Sequence, residues 1–202
     1  MIALLFVADG PRDEAVVPPL VEGMLGVPVS SEFRAWKSLR LNARMPVRGF
    51  ARKLAFATRV ARDAGLPGLV ATVDTDTADR GHRLRWLKEG VAADRLRSPP
   101  LPTAVGEATP HAEAWLLDDP VAVRRVLELD AAIAIPTIRH VKSPKDALRH
   151  LMESSPRPGI EVLGILVELA RMVEAHRCVH ADESGFRAFA DEVRRELSPL
   201  AV

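Results

Sequence analysis

Two uninterrupted apolar runs, each ended by aspartate, constrain the fold of this chain more than any other feature. The first run, Ile2 to Val7, is followed by Ala-Asp-Gly-Pro, and the second, Gly68 to Val73, by Asp-Thr-Asp. Short apolar runs between turn signals predict strands that are buried on both faces. Helical patterns lie between them, and strands that alternate with helices predict a mostly parallel, Rossmann-like α/β sheet with helices on both faces.

The remaining segments predict the rest of the architecture. Helical patterns cover residues 12–25, 47–64, 160–176 and 184–197. Val27 to Val29 is predicted as a further short strand, and Ser143 before Pro144 has the form of a helix N-cap. Beyond residue 106 helices dominate. We therefore expect an α/β core over residues 1–118 and a helical C-terminal extension over residues 119–202, packed on the core as one compact domain.

Composition predicts a cytoplasmic protein without a membrane segment. The chain has 202 residues, 48% of them hydrophobic, and a net charge of +1. Its single cysteine, Cys178, excludes an internal disulfide framework and fits a reducing compartment. The N-terminus lacks a basic region before its apolar run, so we expect no signal peptide. The longest apolar stretch, Ile160 to Val173, contains Glu161 and Glu168 and is too charged to span a bilayer.

The aspartates after the two apolar runs predict a metal site. Alternate side chains of a strand point the same way, so Asp74 and Asp76 project toward one point at the strand end. Two neighbouring carboxylates repel unless a cation neutralises them, and Mg²⁺ or Mn²⁺ takes oxygen ligands of this kind. Asp9 and Asp13 follow the first strand, and Glu113 begins a predicted short helix. The alternative is that these aspartates only cap turns.

The same residues resemble the TOPRIM domain shared by topoisomerases, primases and OLD-type nucleases. Its pattern is a strand ending in Glu-Gly, an acidic residue four positions after that Glu in the nuclease branch, and a later strand ending in Asp-x-Asp. Asp9-Gly10-Pro11-Arg12-Asp13 matches the first part, with aspartate replacing the longer glutamate, and Asp74-Thr75-Asp76 matches the second. PHAEAWLLDDP and SPKDAL are similar to features of a stand-alone bacterial branch in which a glutamate, here Glu113, follows the third motif.

The resemblance implies a TOPRIM-like fold and metal-dependent hydrolysis of phosphodiesters. It implies that Asp9, Asp13 and Glu113 have catalytic roles, and that these three residues with Asp74 and Asp76 are metal ligands. It also implies a partner ATPase, because genes of this branch often lie beside ATPase genes. The chain has no tyrosine for topoisomerase chemistry, no cysteine cluster and no GxxxxGK[ST] loop of its own.

A basic segment between the acidic motifs predicts a nucleic-acid-binding surface. From Phe33 to Arg62 the chain has no acidic residue. Such a cationic stretch suits phosphate backbones. The predicted contacts are Arg34, Lys37, Arg40, Arg44, Arg48, Arg52 and Lys53. Trp36 and Phe50 lie among them and are candidates for base stacking. The alternative is a solvated helix face paired with acids elsewhere.

Other patterns leave alternatives open. VDTDTAD also fits the phosphatase motif of haloacid dehalogenases, with Asp74 as nucleophile, Asp76 as acid/base and Asp118-Asp119 as the later acidic pair. The six histidines show no close ligand spacing except His176 and His180, which lie four residues apart without a third partner, and all six are expected at the surface. Lys142 or Lys145 is a candidate for neutralising a phosphate, although SPKD also explains Lys145 as a helix start.

The sequence as a whole therefore predicts a Mg²⁺- or Mn²⁺-dependent nuclease, or a nuclease-like effector that works with a partner ATPase. The first alternative is a non-catalytic module of an ATPase system that binds metal or nucleotide. The second alternative is a phosphatase of the haloacid dehalogenase type.

Overall fold

Four strands form a single, all-parallel sheet in the computed structural model, which describes residues 1–39, 49–75, 82–97, 99–157, 159 and 161–201. The strands are β1 (Ile2–Ala8), β2 (Val29–Ala35), β3 (Gly68–Asp74) and β4 (Thr103–Ala108). Their order in the sheet is β2-β1-β3-β4, so β1 and β3 are central and adjacent. The predicted parallel α/β architecture with a helical C-terminal half is confirmed.

Eight α-helices are found in the described residues. They are α1 (Pro11–Leu25), α2 (Gly49–Asp63), α3 (His82–Arg95), α4 (Glu113–Leu117), α5 (Pro120–Val126), α6 (Pro144–Glu153), α7 (Val162–Met172) and α8 (Phe186–Leu197). None of these helices is long and apolar enough to cross a membrane. As predicted, Ser143 caps α6 by accepting a hydrogen bond from the Asp146 N–H.

The two outer strands correct the sequence-based prediction. Val27 to Val29 is not a strand by itself, because β2 begins at Val29 and continues to Ala35. Among the described strands, β2 pairs with β1 alone, and its sequence VSSEFRA is partly polar, so it lacks the apolar run of a central strand. β4, with the sequence TAVGEA, was not predicted at all, since glycine and glutamate interrupt it. Helix α7 is also shorter than expected and ends at Met172.

Alternate residues of β1 supply the two hydrophobic cores. Leu4 and Phe6 point to one face of the sheet, where they pack with α1 and the C-terminal helices. Leu5 and Val7 point to the other face, which α2 and α3 cover. A strand that is apolar at every position is buried on both faces, and this is why its sequence reads as a continuous run.

The C-terminal half packs directly on the sheet. α7 lies along α1, and α8 lies across β4. Gly106 of β4 permits this approach, because a Cβ there would lie 2.5 Å from Phe189 of α8. The Ser184 carbonyl accepts hydrogen bonds from the Thr109 N–H at 3.0 Å and the Trp115 indole N–H at 2.7 Å. These bonds fix the turn and the short helix that follow β4.

Candidate functional site

Asp9 and Asp74 lie together at the carboxyl edge of the sheet, where the central strands β1 and β3 end. The Asp9 carboxylate oxygen Oδ2 accepts a hydrogen bond from the backbone N–H of Asp74 at 3.1 Å. The prediction that the two apolar runs place their aspartates at one edge is confirmed. Ligand sites in open α/β sheets form at this edge, because the strand ends and the following loops meet there.

Asp13 is a buried carboxyl beside this pair. It lies in the first turn of α1, where its Oδ2 accepts the Gly10 N–H at 2.9 Å. Only 7% of Asp13 is exposed. Burial, with added repulsion from Asp74, Asp9 and Glu113, raises the pKa of Asp13 from 3.8 to about 7, against the opposing effect of the Gly10 hydrogen bond. Asp13 is therefore near its midpoint of protonation at neutral pH, so any added positive charge favours its ionised form.

Glu113 joins the cluster from the start of α4. Its side chain is 2% exposed, and its Oε1 lies 2.9 Å from Nη1 of Arg12, whose side chain is 45% exposed. The ion pair connects the first turns of α1 and α4. Arg12 belongs to the site although no sequence pattern selects it, because its partner is distant in the chain.

His111 also belongs to the site, and the prediction that all histidines are surface residues is wrong for it. Its Nδ1 lies 3.1 Å from Oδ2 of Asp74. The Thr75 N–H donates to the Pro110 carbonyl at 3.0 Å, which holds the turn after β4 against the end of β3. No spacing pattern reveals this contact, since the sheet itself brings the two segments together.

Two further cations line the same cleft. Arg83, in the first turn of α3, donates through Nη1 to the Asp74 carbonyl at 3.2 Å and lies 3.9 Å from Oδ2 of Asp9. Lys145 enters from the first turn of α6. Of the two lysines considered from the sequence, Lys145 lines the cleft and Lys142 is not among its described lining residues.

The cleft has a volume of about 680 Å³. It is lined by Asp9, Gly10, Pro11, Arg12, Asp13, Asp74, Arg83, Glu113, Lys145 and Leu163. Four acidic and three cationic side chains thus face one solvent-accessible space. Such a mixture can hold a metal ion on the acidic side and an anionic substrate group on the cationic side.

The oxygen atoms of these carboxylates are suitable ligands for Mg²⁺ or Mn²⁺, but they are not arranged as a complete metal site. All four described carboxylates offer oxygen, the ligand atom that hard cations prefer. In the described parts of the chain, no group of three or more Asp, Glu, His or Cys side chains is already arranged to hold a metal ion. Arg12 and His111 occupy part of the carboxylate oxygens. Asp76, the fifth predicted ligand, lies outside the described residues.

Asp118 and Asp119 do not belong to this cleft. Asp118 accepts the His180 N–H at 2.8 Å, and buried Asp119 caps α5 and receives the Arg177 guanidinium at 2.8 Å. They connect helices of the C-terminal half. The pair therefore does not supply the later acidic motif that the phosphatase alternative requires.

The predicted nucleic-acid-binding segment is only partly described. Arg40, Arg44 and Arg48 lie outside the described residues. Arg34 pairs with Glu32, Lys37 is exposed, Arg52 and Lys53 are partly buried, and Lys53 lies over the Phe50 ring. The prediction that Trp36 stacks on bases is wrong, because Trp36 is 2% exposed and its indole N–H donates to the Thr72 carbonyl at 2.7 Å.

Comparisons with known proteins add no relative. No protein-family model, no curated protein and no solved structure matches this chain. The class of the protein therefore depends on its α/β sheet, its acidic edge and the motif pattern in its own sequence.

Proposed function

We propose that this protein is a divalent-metal-dependent nuclease that hydrolyses phosphodiester bonds in the cleft at the carboxyl edge of its sheet. One observation carries the proposal above the others: burial in this cleft, together with repulsion from Asp74, Asp9 and Glu113, raises the pKa of Asp13 to about 7. A protein keeps carboxylates in such mutual repulsion where a cation offsets it.

Asp9 and Asp74 are proposed metal ligands, and Asp9 is the more exposed of the two, with 36% of its side chain exposed against 12% for Asp74. Asp76 is a further proposed ligand on the sequence pattern alone. A bound Mg²⁺ or Mn²⁺ would supply an activated water and stabilise charge on the phosphate. Asp13 would ionise as the metal binds and complete the oxygen ligands. Glu113, whose second oxygen is not engaged by Arg12 in the described contacts, would orient the water.

Lys145 and Arg83 are proposed to hold the phosphate. Both line the cleft, and they approach it from different helices, α6 and α3. A cation aimed at the non-bridging oxygens of a phosphodiester stabilises the charge that develops during hydrolysis. Arg83 is already oriented by its bond to the Asp74 carbonyl, so little reorganisation is needed when substrate binds.

The motif resemblance to TOPRIM nucleases supports the same chemistry. It also suggests a partner ATPase in the cytoplasm, since this chain has no GxxxxGK[ST] loop of its own. Both suggestions remain parts of the proposal.

The decisive experiment compares the protein with its Asp74→Asn variant on end-labelled single-stranded and duplex DNA and RNA, with Mn²⁺, Mg²⁺ or EDTA. Metal-dependent cleavage by the native protein, with at least a hundredfold loss in the variant, is expected because a charged ligand is removed. Cleavage that persists equally in Asp74→Asn would contradict the assignment. An aspartyl-phosphate trapped at Asp74 would favour the phosphatase alternative.

A non-catalytic module that binds metal or nucleotide for a partner ATPase is the second candidate. The Arg12–Glu113 ion pair and the raised pKa of Asp13 reduce the negative charge of the cluster without a metal. This observation favours a site that can persist in an empty state. Tight Mn²⁺ binding without cleavage of any polynucleotide would support this candidate over the nuclease.

A further inference from the structure

The first turns of α2 and α3 form a surface that combines cations with aromatic rings beside the acidic cleft. We call it the cationic rim and define it by Phe50, Lys53, His82, Arg83, Arg85 and Trp86. α2 and α3 pack side by side on one face of the sheet. Arg83 belongs to both the rim and the cleft, so the two surfaces are continuous.

Phe50 organises the cations of the rim. The Lys53 ammonium lies 5.3 Å from the centre of the Phe50 ring, and the Arg83 guanidinium lies 5.2 Å from it. Buried Trp36 meets the same ring edge-on, at 5.2 Å between centroids. Cation–π contacts at such distances hold a cation in place without neutralising it. Lys53 therefore keeps positive charge that can attract an anion, and Arg83 keeps part of its charge, since Asp9 lies 3.9 Å from it.

Trp86 provides a ring that solvent reaches. The other two tryptophans, Trp36 and Trp115, are 2% and 0% exposed, whereas Trp86 is partly exposed. Gly49 lies against the Trp86 ring, and a Cβ on Gly49 would be 3.3 Å from Cε3. The His82 ring is 6.1 Å away and tilted by 39°. Gly49 and His82 thus pack beside the indole ring of Trp86, which remains partly exposed, as in surfaces on which a base stacks.

The rim residues themselves carry only positive charge, although two of them meet carboxylates: Arg83 lies 3.9 Å from Asp9 and Arg85 lies 3.8 Å from Glu89. Residues 49–53 and 82–86 contain four Arg or Lys residues and one histidine, and no acidic residue. In the described parts of the chain, no carboxylate forms an ion pair with Lys53. Arg34 and Arg62 of the basic segment differ, because Glu32 and Asp94 pair with them. Within the rim, the charge of Lys53 therefore remains available to an anionic ligand.

We propose that the cationic rim binds single-stranded polynucleotide and leads its backbone toward the acidic cleft. The inference rests on the proposed nuclease function and adds the strandedness of the substrate and a recognition surface outside the carboxylate cluster. Positive groups that follow the backbone, together with aromatic rings, recognise unpaired bases of any sequence. A duplex hides its base faces, so it offers this surface phosphates only.

The test uses intrinsic fluorescence, because the chain has three tryptophans and no tyrosine. Oligo(dT) of about 20 nucleotides is titrated into the full chain in EDTA, which separates binding from cleavage. We expect quenching of the Trp86 emission and affinity for oligo(dT) roughly tenfold higher than for a matched duplex. Oligo(U) is titrated in parallel, and tighter binding of either polymer supports the rim and identifies DNA or RNA as its ligand.

Variants assign the binding to the rim. Trp86→Phe should abolish the quenching while it keeps the affinity measured by anisotropy with labelled oligo(dT), since phenylalanine still stacks. Trp86→Ala should bind roughly tenfold more weakly, and Lys53→Gln should flatten the plot of log affinity against log salt by about one unit. The matched control is Arg194→Gln on α8, across the sheet from the rim, which should change neither quantity.

Some outcomes would overturn the inference. They are equal affinity for duplex and single strand, or unchanged binding in both Trp86→Ala and Lys53→Gln while circular dichroism shows them folded. If the rim binds oligo(dT) in EDTA but no cleavage occurs with Mn²⁺, the rim stands and the nuclease proposal fails. Cleavage without any effect of the rim variants would give the reverse result.

Discussion

The Asp9 carboxylate is hydrogen-bonded to the backbone of Asp74, with 3.1 Å between Oδ2 of Asp9 and N of Asp74. This bond holds the carboxylate at the end of β1 against the backbone at the end of β3, the neighbouring strand in the sheet. The Asp9 carboxylate therefore cannot rotate far from Asp74 without losing a hydrogen bond, so repulsion at this edge is built into the strand pairing. Arg83, 3.9 Å from Asp9, offsets only part of it.

Asp9→Asn is expected to weaken Mn²⁺ binding roughly tenfold or more, because it removes a charge but keeps an oxygen that can accept the Asp74 N–H. The fold should be unaffected. Isothermal titration calorimetry with Mn²⁺ measures the change. Asp63→Asn, with the same loss of charge at an exposed residue at the end of α2, should bind Mn²⁺ as the native protein does. Equal affinity in both variants would remove Asp9 from the ligand set.

Asp13 predicts a specific dependence of stability on pH. Its pKa of about 7 in the folded protein is above the ordinary 3.8, so the folded state holds the proton more tightly. The stability that this carboxyl contributes is complete below about pH 4 and is lost as the pH rises through about 7. From pH 5 to pH 8 the native protein should lose roughly 2 to 3 kcal/mol through Asp13.

Asp13→Asn removes this titration and keeps an oxygen that can accept the Gly10 N–H. Urea unfolding at pH 5 and pH 8 without metal should show a smaller loss in the variant than in the native protein. The variant should be the more stable of the two at pH 8. An identical loss in both proteins would show that the Asp13 carboxyl is ionised throughout this pH range.

Lys145→Gln should lower kcat for polynucleotide cleavage about a hundredfold, because an ammonium that stabilises the phosphate is lost. Mn²⁺ affinity should not fall, since no ligand is changed. Lys142→Gln is the control, as Lys142 is exposed and is not among the described lining residues of the cleft. A comparable loss in both lysine variants would indicate a general charge effect and contradict a specific role for Lys145.

Arg62 is expected to act in stability and not in nucleic-acid binding. Its guanidinium forms two hydrogen bonds with Asp94, at 2.6 and 2.8 Å. Burial opposes ionisation of Asp94, but Arg62 and the Leu101 N–H outweigh it and hold the pKa of Asp94 below 3.8. Arg62→Gln should lower the free energy of unfolding by roughly 2 to 3 kcal/mol at pH 7, because a buried charge loses its partner.

Adding Asp94→Asn to Arg62→Gln should restore part of the lost stability, as a double-mutant cycle in urea would measure. Oligo(dT) affinity should stay unchanged in Arg62→Gln under conditions where the variant is folded. A clear loss of affinity there would extend the nucleic-acid surface to the far end of α2.

The central strands and their aspartates were predictable because burial on both faces leaves an unbroken apolar run, as in Leu4 to Val7, and a parallel sheet brings such strand ends to one edge. The outer strands were not. β2 is partly polar and β4 contains glycine and glutamate, so neither has the pattern of a buried strand.

The contacts of His111 and Arg12 could not be predicted from the sequence either. His111 meets Asp74 across the junction of β3 and the turn after β4, and Arg12 meets Glu113 between two helix starts. Such pairs depend on the distance between elements in space, which no local spacing encodes. Asp9, Asp13, Asp74 and Glu113 were predictable as neighbours, and Lys145 was one of two lysines considered, whereas Arg12, Arg83 and His111 were not predicted.

The Ser184 carbonyl, which accepts hydrogen bonds from Thr109 and Trp115, also bears on when the cleft is completed during translation. The two donors, Thr109 and Trp115, lie on either side of Glu113 in the chain, whereas their acceptor, Ser184, is synthesised much later than Glu113. β1 and β3 can pair while the ribosome is still making the C-terminal helices, and Glu113 acquires its fixed position only when Ser184 has emerged and docked. The nascent protein is thus expected to carry an open acidic edge, in which Asp9 and Asp74 are already adjacent while Glu113 is not yet held beside Arg12.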